Sequence, residues 1–406
     1  MVKIAHVVRR LVFEEWGGTE TVVWNTVLHQ NRTGMEPEIL ATSALSVPGE
    51  EVREGIRIRR FKYFYPYFPM PENARLALDK KGGSPWSPDL FRALAHGGFD
   101  LVHIHCAGRL ARICEKIAAQ CGIPSVITLH GGAADVPPEE MREMLRPLRH
   151  KIPYGRFLDL LMRTGGDPVA HADAVICISR TEEERLARKY PGSRIDYLPN
   201  GIEPERFQHP DTADVRREYG IPADRKLILC VSRIDYQKNQ KILLELLAHA
   251  GDTHLLLAGP VTAQWYCAEL LEEVKQRNLT DRFTLIPGLP PDSPLLYSAY
   301  HSAYAFVLPS RHEPFGIAAL EAWAAGVPLA AARTGGLRDF IRDGENGLFF
   351  QPDSAASLLE VWRKMEDPDL RVQLVRNGLK DVRQFTWSAL TKRLAGIYRE
   401  VQNEIR

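Results

Sequence analysis

The chain has 406 residues, enough for two domains or one large one, and 45% of them are hydrophobic and 25% charged, as in a soluble globular protein. The formal net charge of +1 gives no overall reason to expect a nucleic-acid partner. No apolar stretch approaches the roughly 20 residues needed to span a bilayer and the first residues lack a signal-peptide pattern, so we expect a cytoplasmic protein.

The amino-terminal pattern predicts a strand, a loop containing Gly17 and Gly18, and then a helix. Such an arrangement can hold a phosphate, although two glycines alone are a weak signal. No G-x-G-x-x-G motif follows the strand, which argues against a dehydrogenase.

Two later stretches have an unusual composition. Residues 63–70 are aromatic and proline-rich and predict no regular element. Residues 137–164 alternate arginines with large apolar residues, as two amphipathic helices broken near Pro153 would. Each stretch is either ordinary surface or a site for an acceptor phosphate, a glycan or an anionic membrane.

Histidines lie at the ends of two predicted strands. His103 and His105 share one face of the first strand, where they could be structural residues or one half of a metal site. His130 follows the second strand, at a position where α/β proteins bind ligands, although it could also be a core histidine or a helix cap.

The second half of the chain opens with an apolar strand at 227–232 and a loop containing Arg233 and Lys238. Two later predicted strands each end in a glycine. The second of them ends at Gly288, and Leu289 follows it. Another apolar strand, at 305–308, leads into a tight turn and a helix that we expect to begin near Pro314.

Two carboxylates flank that turn. Glu313 is expected just before the helix and Glu321 two turns into it, about 12 Å apart along a helical path. Free amide groups at Phe315, Gly316 and Ile317 favour an anion between them. The pattern is either an ordinary capped helix or a site for a phosphate with hydroxyl-rich groups on both sides.

The motifs taken together resemble the family-4 retaining glycosyltransferases of the GT-B fold. The resemblance rests on Glu-x7-Glu from Glu313, followed by A-A-G-V-P and Thr-Gly-Gly. It also rests on S-R-x4-K-N from Ser232 and, more loosely, on the strand motif at 99–105 and L-P-N-G-I at 198–202. Many members have glycine where Pro314 stands, and proline is also frequent.

The resemblance assigns roles to individual residues. Arg233 and Lys238 would grip the donor diphosphate, and Glu321 would hold the ribose. Glu313 would position the donor sugar, and His130 would contact it. Further donor contacts would come from two glycines, a turn after a strand and the amides of the motif helix: Gly17, Gly18, Gly288, Leu289, Phe315, Gly316 and Ile317.

The same resemblance implies two doubly wound Rossmann-like domains. Residues 1–205 would bind the acceptor and residues 206–386 the nucleotide sugar, with a last helix at about 387–406 crossing back to the first domain. The favoured donor would be a UDP-sugar, with a GDP-sugar as the second choice. The acceptor would be a glycan or a lipid-linked molecule, and a lipid-linked acceptor would bring the protein to the membrane surface.

No metal cofactor is expected, because Arg233 and Lys238 would neutralise the leaving group and Asp367-Pro368-Asp369 reads as a helix start. Two rival functions stay open at this point. One is a sugar-nucleotide 2-epimerase of the same fold, and the other is a non-catalytic nucleotide-sugar-binding subunit.

Overall fold

The computed structural model describes residues 2–13, 17–131, 142, 145–161, 164–208, 213–290 and 293–404. The chain forms two compact units, one of Met1–Pro199 with Trp387–Arg406 and the other of Asn200–Thr386. The boundary between the units therefore lies between residues 199 and 200, whereas the sequence predicts the domain boundary between residues 205 and 206.

Unit 1 is built on a sheet with the strand order β10-β9-β7-β6-β1-β2-β4-β3. All neighbours in it pair in parallel except β3 and β4, which are antiparallel. The strands are β1 Lys3–Val8, β2 Glu36–Thr42, β3 Gly49–Arg53, β4 Ile56–Phe61, β6 Leu101–Ile104, β7 Ser125–Leu129, β9 Ala174–Cys177 and β10 Ile195–Tyr197.

Helices cover both faces of this sheet. The helices of unit 1 are α1 Gly18–Arg32, α2 Glu72–Lys81, α3 Pro88–His96, α4 Arg109–Gln120, α5 Gly155–Leu161, α6 Arg180–Lys189 and α14 Trp387–Glu404. The last of them packs Leu394, Tyr398 and Val401 against strand residues such as Ile4 and Leu101. The predicted return of the final helix to the first domain is therefore confirmed.

Unit 2 has a wholly parallel sheet with the order β13-β12-β11-β14-β15-β16. In chain order this is 3-2-1-4-5-6, the doubly wound order in which ligands bind where the order reverses. The strands are β11 Lys226–Val231, β12 Thr253–Ala258, β13 Phe283–Ile286, β14 Ala305–Leu308, β15 Leu329–Ala332 and β16 Leu348–Phe350.

The helices of unit 2 are α7 Val215–Glu218, α8 Leu243–His249, α9 Gln264–Gln276, α10 Pro294–Ser302, α11 Ile317–Ala324, α12 Ala355–Met365 and α13 Pro368–Asp381. Asp367 caps α13 by accepting from the amides of Asp369 and Leu370. The Asp-Pro-Asp triplet is thus a helix start, as the sequence predicts. Fully buried strand residues, for example Ile228 and Leu255, explain why these segments read as continuous apolar runs.

The two unusual stretches differ from their prediction. Residues 67–68 and 152–153 form a short antiparallel pair, β5 Tyr67–Phe68 with β8 Ile152–Pro153. Pro153 therefore lies in a strand and not between two helices. Of the predicted basic segment, residues 137–141, 143–144 and 162–163 lie outside the described part of the chain.

Among the described residues, no helix combines the length and the apolar character required to cross a membrane.

Candidate functional site

The loops that follow β11 and β14 lie at the point where the strand order of unit 2 reverses. These strands are neighbours in the sheet, and both loops leave it at their carboxyl ends. The first loop carries Arg233 and Lys238, and the second carries Glu313. Crevices of this kind are the usual ligand sites of open α/β sheets.

An ion pair joins the two loops. Lys238 Nζ lies 2.7 Å from Glu313 Oε2, and the side chains are only 12% and 10% exposed. Ser310 Oγ donates to the same carboxylate oxygen at 3.2 Å. Because an unpaired charge at this depth would be costly, each partner holds the other in place.

Arg233 is in a different setting from Lys238. Its side chain is 47% exposed, and its contacts to Asp235 at 3.8 Å and Gln237 at 3.4 Å are long. The guanidinium can therefore turn towards an anion without breaking a close ion pair. Behind it, Gln240 is fully buried and donates to Ser232 Oγ and the Arg233 carbonyl, which fixes the loop.

The motif helix starts later than the sequence predicts. Gly316 has a left-handed backbone with φ of 100°, and α11 begins after it, so Pro314 and Glu313 belong to the loop. A Cβ atom at Gly316 would lie 2.5 Å from Leu337 Cδ2. The expected helical path between Glu313 and Glu321 is therefore wrong, because the left-handed residue interrupts it.

A second turn packs against this loop. The amide of Gly336 donates to the Glu313 carbonyl at 3.0 Å, and the Thr334 hydroxyl donates to the Ser310 carbonyl at 3.1 Å. A Cβ at Gly335 would lie 1.9 Å from the Glu313 carbonyl oxygen, so this close approach needs glycine. The Thr-Gly-Gly motif thus supports the shape of the turn from behind.

The amides of Phe315, Gly316 and Ile317 lie at the amino terminus of α11. The first amides of a helix have no partner within it. In the described parts of the chain, no backbone carbonyl accepts from these three. They give this end of the helix a positive potential beside the ion pair, and the predicted anion contact stays a prediction.

Glu321 lies one turn further along α11. The Tyr300 hydroxyl donates to Glu321 Oε2 at 2.6 Å. Burial raises the pKa of Glu321, whereas the hydrogen bond from Tyr300 lowers it. Tyr300, itself fully buried, is a supporting residue that sequence reasoning missed. Its position on the apolar face of α10 could have indicated that its hydroxyl needs a buried partner.

Gly288 and Leu289 lie apart from this ion pair in the sheet order. They follow β13, the edge strand, and Gly288 has a positive φ of 98°. They belong to the same carboxyl edge as the other loops, because all the strands are parallel. The structure thus collects the predicted residues of unit 2 along one edge of its sheet.

Unit 1 carries the remaining predicted residues at the carboxyl ends of its own strands. Gly17 is the amino-terminal cap of α1, and its carbonyl accepts from the Thr21 amide at 2.9 Å. Gly18 is exposed in the first turn of α1. His130 follows β7 and belongs to a cluster of histidines.

That cluster extends the predicted histidine pair. His6 on β1 is the register partner of His103 on β6. His6 Nδ1 lies 2.9 Å from His105 Nε2, and His105 Nδ1 lies 3.1 Å from His130 Nε2. Burial lowers the pKa of His6 to about 4 and that of His130 to about 4, and it holds the pKa values of His103 and His105 well below the usual range.

Ring nitrogens of His6, His103 and His105 lie within 4.8 Å of one another, a spacing that would suit three ligands of one metal ion. All six nitrogens, however, lie within hydrogen-bond distance of a protein atom. Hydrogen bonding therefore accounts for these histidines. Sequence reasoning missed His6, Gln30 and Tyr398. Each of them is a polar residue within an otherwise apolar stripe, and that pattern could have indicated a buried hydrogen bond.

Two family models match consecutive parts of the chain. Residues 16–206 match the model described as Glycosyltransferase Family 4, and residues 211–381 match Glycosyl transferases group 1.

Proteins with a sequence similar to this chain include D-inositol 3-phosphate glycosyltransferases. A D-inositol 3-phosphate glycosyltransferase of Acidothermus cellulolyticus is 30% identical over 324 residues, which cover 76% of this chain and 69% of that protein. One from Mycolicibacterium smegmatis is 25% identical over 406 residues, which cover 96% of this chain and 88% of that protein.

Solved structures share the fold. Sucrose-phosphate synthase from Thermosynechococcus elongatus superposes with a TM-score of 0.73 at 23% identity, covering 100% of both chains. Anabaena Alr3699/HepE in complex with UDP and glucose superposes with a TM-score of 0.71 at 18% identity, covering 98% of this chain and 100% of that one. The GT-B fold predicted from the motifs is confirmed.

Proposed function

Because the chain belongs to the family-4 glycosyltransferases of the GT-B fold, we propose that it moves a sugar from a nucleotide diphosphate sugar to an acceptor with retention of anomeric configuration. UDP-sugars are the favoured donors and GDP-sugars the second choice. Membership in this family favours transfer over the two rivals, the 2-epimerase and the non-catalytic binding subunit.

The single observation that carries the proposal is the Lys238–Glu313 pair at the reversal point of the unit 2 sheet. It combines a fixed positive charge for a diphosphate with a carboxylate for sugar hydroxyls, beside the free amides of α11. Arg233 supplies a second, more exposed charge, and Glu321, held by Tyr300, accepts from ribose hydroxyls. Gly17, Gly18, Gly288 and Leu289 complete the proposed donor contacts.

The proposed chemistry needs no resident metal. The diphosphate leaves as its bond to the sugar breaks, and Arg233 and Lys238 stabilise the charge that develops on it. Both motif glutamates already have binding roles, so we do not assign a covalent nucleophile. The acceptor attacks from the face that the diphosphate leaves, and the leaving group takes the acceptor proton. His130 contacts the transferred sugar.

A panel of nucleotide sugars tests the donor proposal. We expect a UDP-sugar to raise the melting temperature and to be hydrolysed slowly without an acceptor. The variant Glu321→Ala should lose about 1.5–3 kcal/mol of nucleoside diphosphate binding, which is the usual value of hydrogen bonds to a charged group. No stabilisation by any nucleotide sugar, or equal affinity in the variant, contradicts the assignment.

We propose a glycan or lipid-linked acceptor, in the synthesis of a cell-surface polysaccharide or glycoconjugate. The relatives named D-inositol 3-phosphate glycosyltransferase add a phosphorylated inositol to the acceptors worth testing. We further propose that the protein acts in the cytoplasm, with peripheral attachment to the membrane.

A surface of unit 1 supports the membrane part of this proposal. The pairing of β5 with β8 brings the two unusual stretches together. Phe68 and Ile152, which are register partners, are 67% and 66% exposed, and Phe157 and Leu160 on α5 are 66% and 76% exposed. Exposed arginines, among them Arg149 and Arg156, lie in the same segment. Apolar side chains beside cations suit an anionic lipid surface.

Co-sedimentation with vesicles containing an anionic lipid tests this surface. We expect binding at low salt that weakens as salt screens the arginines. The variant Phe157→Ser should bind less, whereas Val372→Ser, which changes an equally exposed side chain in unit 2, should bind as the wild type does. Absence of wild-type binding at low salt removes the membrane proposal and leaves the donor proposal untouched.

A further inference from the structure

Gln30 on α1 stands at the head of two chains of hydrogen bonds in the core of unit 1. Its Oε1 lies 2.7 Å from His6 Nε2, and its Nε2 lies 3.1 Å from the Tyr398 hydroxyl. Gln30 is fully buried, and so are His6 and Tyr398 on either side of it. An amide has one end that donates and one that accepts, so its orientation imposes a direction on both chains.

The first chain runs from Gln30 to His130. Because Gln30 Oε1 can only accept, His6 Nε2 must carry a proton, and the other nitrogen of a neutral His6 then accepts. His105 Nε2 therefore donates to His6 Nδ1. By the same argument His130 Nε2 donates to His105 Nδ1. This leaves His130 Nδ1 as an unprotonated acceptor.

The same orientation of the Gln30 amide also sets the direction of the second chain. Gln30 Nε2 donates to the Tyr398 oxygen, so the Tyr398 hydroxyl donates to His103 Nδ1 at 2.5 Å. His103 Nε2 then carries the proton and donates to Thr128 Oγ1 at 2.6 Å. With the Gln30 amide in this orientation, every hydrogen bond of the two chains has one donor and one acceptor. All four histidine rings are then in the same form, with the proton on Nε2.

The argument requires neutral rings, and their surroundings provide them. His6, His103 and His105 are at most 4% exposed. Burial lowers the pKa values of all four histidines, so they are uncharged at neutral pH. A neutral ring that donates through one nitrogen has to accept through the other.

His130 Nδ1 is the open end of the first chain. The atom is shielded from solvent and, among the described residues, has no hydrogen-bond partner. His130 as a whole is partly exposed, at the carboxyl end of β7. A buried acceptor without a donor costs free energy that a ligand donor would recover.

We propose that Gln30, His6 and His105 are positioning residues that fix His130 in its Nε2–H form, so that His130 Nδ1 accepts a hydrogen bond from a hydroxyl of the substrate. The substrate part rests on the proposed function. Acceptance by a neutral ring also defines what His130 does in the reaction: it orients a hydroxyl group and does not donate to it.

Nitrogen NMR of the free protein tests the chain without any substrate. With ¹⁵N-labelled histidine, long-range proton–nitrogen spectra distinguish protonated from unprotonated ring nitrogens. A His130→Gln variant identifies the His130 signals among those of the 13 histidines. We expect protonated Nε2 and unprotonated Nδ1 in His130, His105 and His6 at neutral pH.

Three results would overturn the proposal. The first is a protonated Nδ1 at His130, which would mean that the Gln30 amide points the other way. The second is a charged His130 at neutral pH. The third is a stoichiometric metal ion on the purified protein that shifts these histidine signals, since a metal would replace the hydrogen bonds. Because the measurement needs no donor, failure of the donor proposal does not affect it.

Two matched variants test the effect on turnover. Gln30→Met removes the head of the chain, and we expect kcat/KM for the nucleotide sugar to fall about tenfold, as for one lost hydrogen bond. Thr128→Val removes a buried hydrogen bond from the second chain only, and its kcat/KM should stay within about twofold of wild type. Equal losses in the two variants, with both folded, would contradict the positioning role of Gln30.

Discussion

Lys238 and Arg233 have the same proposed role but different surroundings. Lys238 is nearly buried and paired with Glu313, whereas Arg233 is half exposed and only loosely held. Removing Lys238 leaves Glu313, whose side chain is 10% exposed, without its counter-charge. Removing Arg233 leaves no such group behind. The two residues can therefore be separated by comparing stability with turnover.

We predict that Arg233→Ala lowers turnover by about 10²–10³, the usual cost of removing one electrostatic stabiliser, with a melting temperature close to wild type. Arg233→Lys should recover part of the activity, because lysine lacks the bidentate fork. Steady-state kinetics with the donor from the panel, in the presence of EDTA, measures both effects. Loss of wild-type activity in EDTA and its return with manganese would contradict the charge assignment.

Lys238→Ala should lose activity and stability together. Breaking a buried ion pair by removing one partner typically costs about 3–5 kcal/mol, so we expect a clear fall in the free energy of unfolding. Chemical denaturation of the variant measures it, with Arg233→Ala as the matched control. Equal stability of the two variants would show that the Lys238–Glu313 contact does not organise the loops.

At the scale of elements, the turn between β14 and α11 depends on a left-handed glycine. We predict that Gly316→Ala is less stable than wild type by about 1–3 kcal/mol and binds nucleoside diphosphate more weakly, because both its backbone and Leu337 would have to shift. Gly344→Ala is the control, since Gly344 also has a positive φ but open space around it. Chemical denaturation measures the stability of both variants, and calorimetry measures their affinity for nucleoside diphosphate. Equal stability and equal affinity of the two variants would contradict the role of the turn.

Strands and helices of unit 2 are predictable because each is encoded locally. The apolar runs at β11 and β14 and the Asp-Pro-Asp start of α13 contain their own signals. The true start of α11 was missed because it depends on a turn about 20 residues further on, at Gly335 and Gly336. The hydrogen bonds that join His6 to the predicted histidines were missed for the same reason. Gln30 and Tyr398 come from distant parts of the sequence and meet only in the folded unit.

At the scale of the whole molecule, the buried histidines link stability to pH. Their pKa values are lowered in the folded state, so between about pH 6.5 and 4 the unfolded chain binds protons that the folded chain does not. Stability should therefore fall as the pH falls through this window, by up to about 1.4 kcal/mol per pH unit for each histidine.

Denaturant unfolding at a series of pH values measures this dependence. In the interval from about pH 6.5 to 5 ordinary carboxylates contribute little, because they take up protons mainly below it. Glu182 is an exception: burial raises its pKa to about 7, so it offsets about one histidine. His254 in unit 2, whose pKa burial also lowers to about 4, adds to this dependence. A free energy of unfolding that stays constant over this interval would contradict four neutral buried rings.

The anomeric configuration of the first product tests the proposed reaction most directly. Proton NMR can follow a nucleotide sugar from the panel as it is consumed, either by transfer or by slow hydrolysis, before the released sugar re-equilibrates. Our account predicts that the first-formed product keeps the anomeric configuration of the donor. A first product of inverted configuration would contradict it.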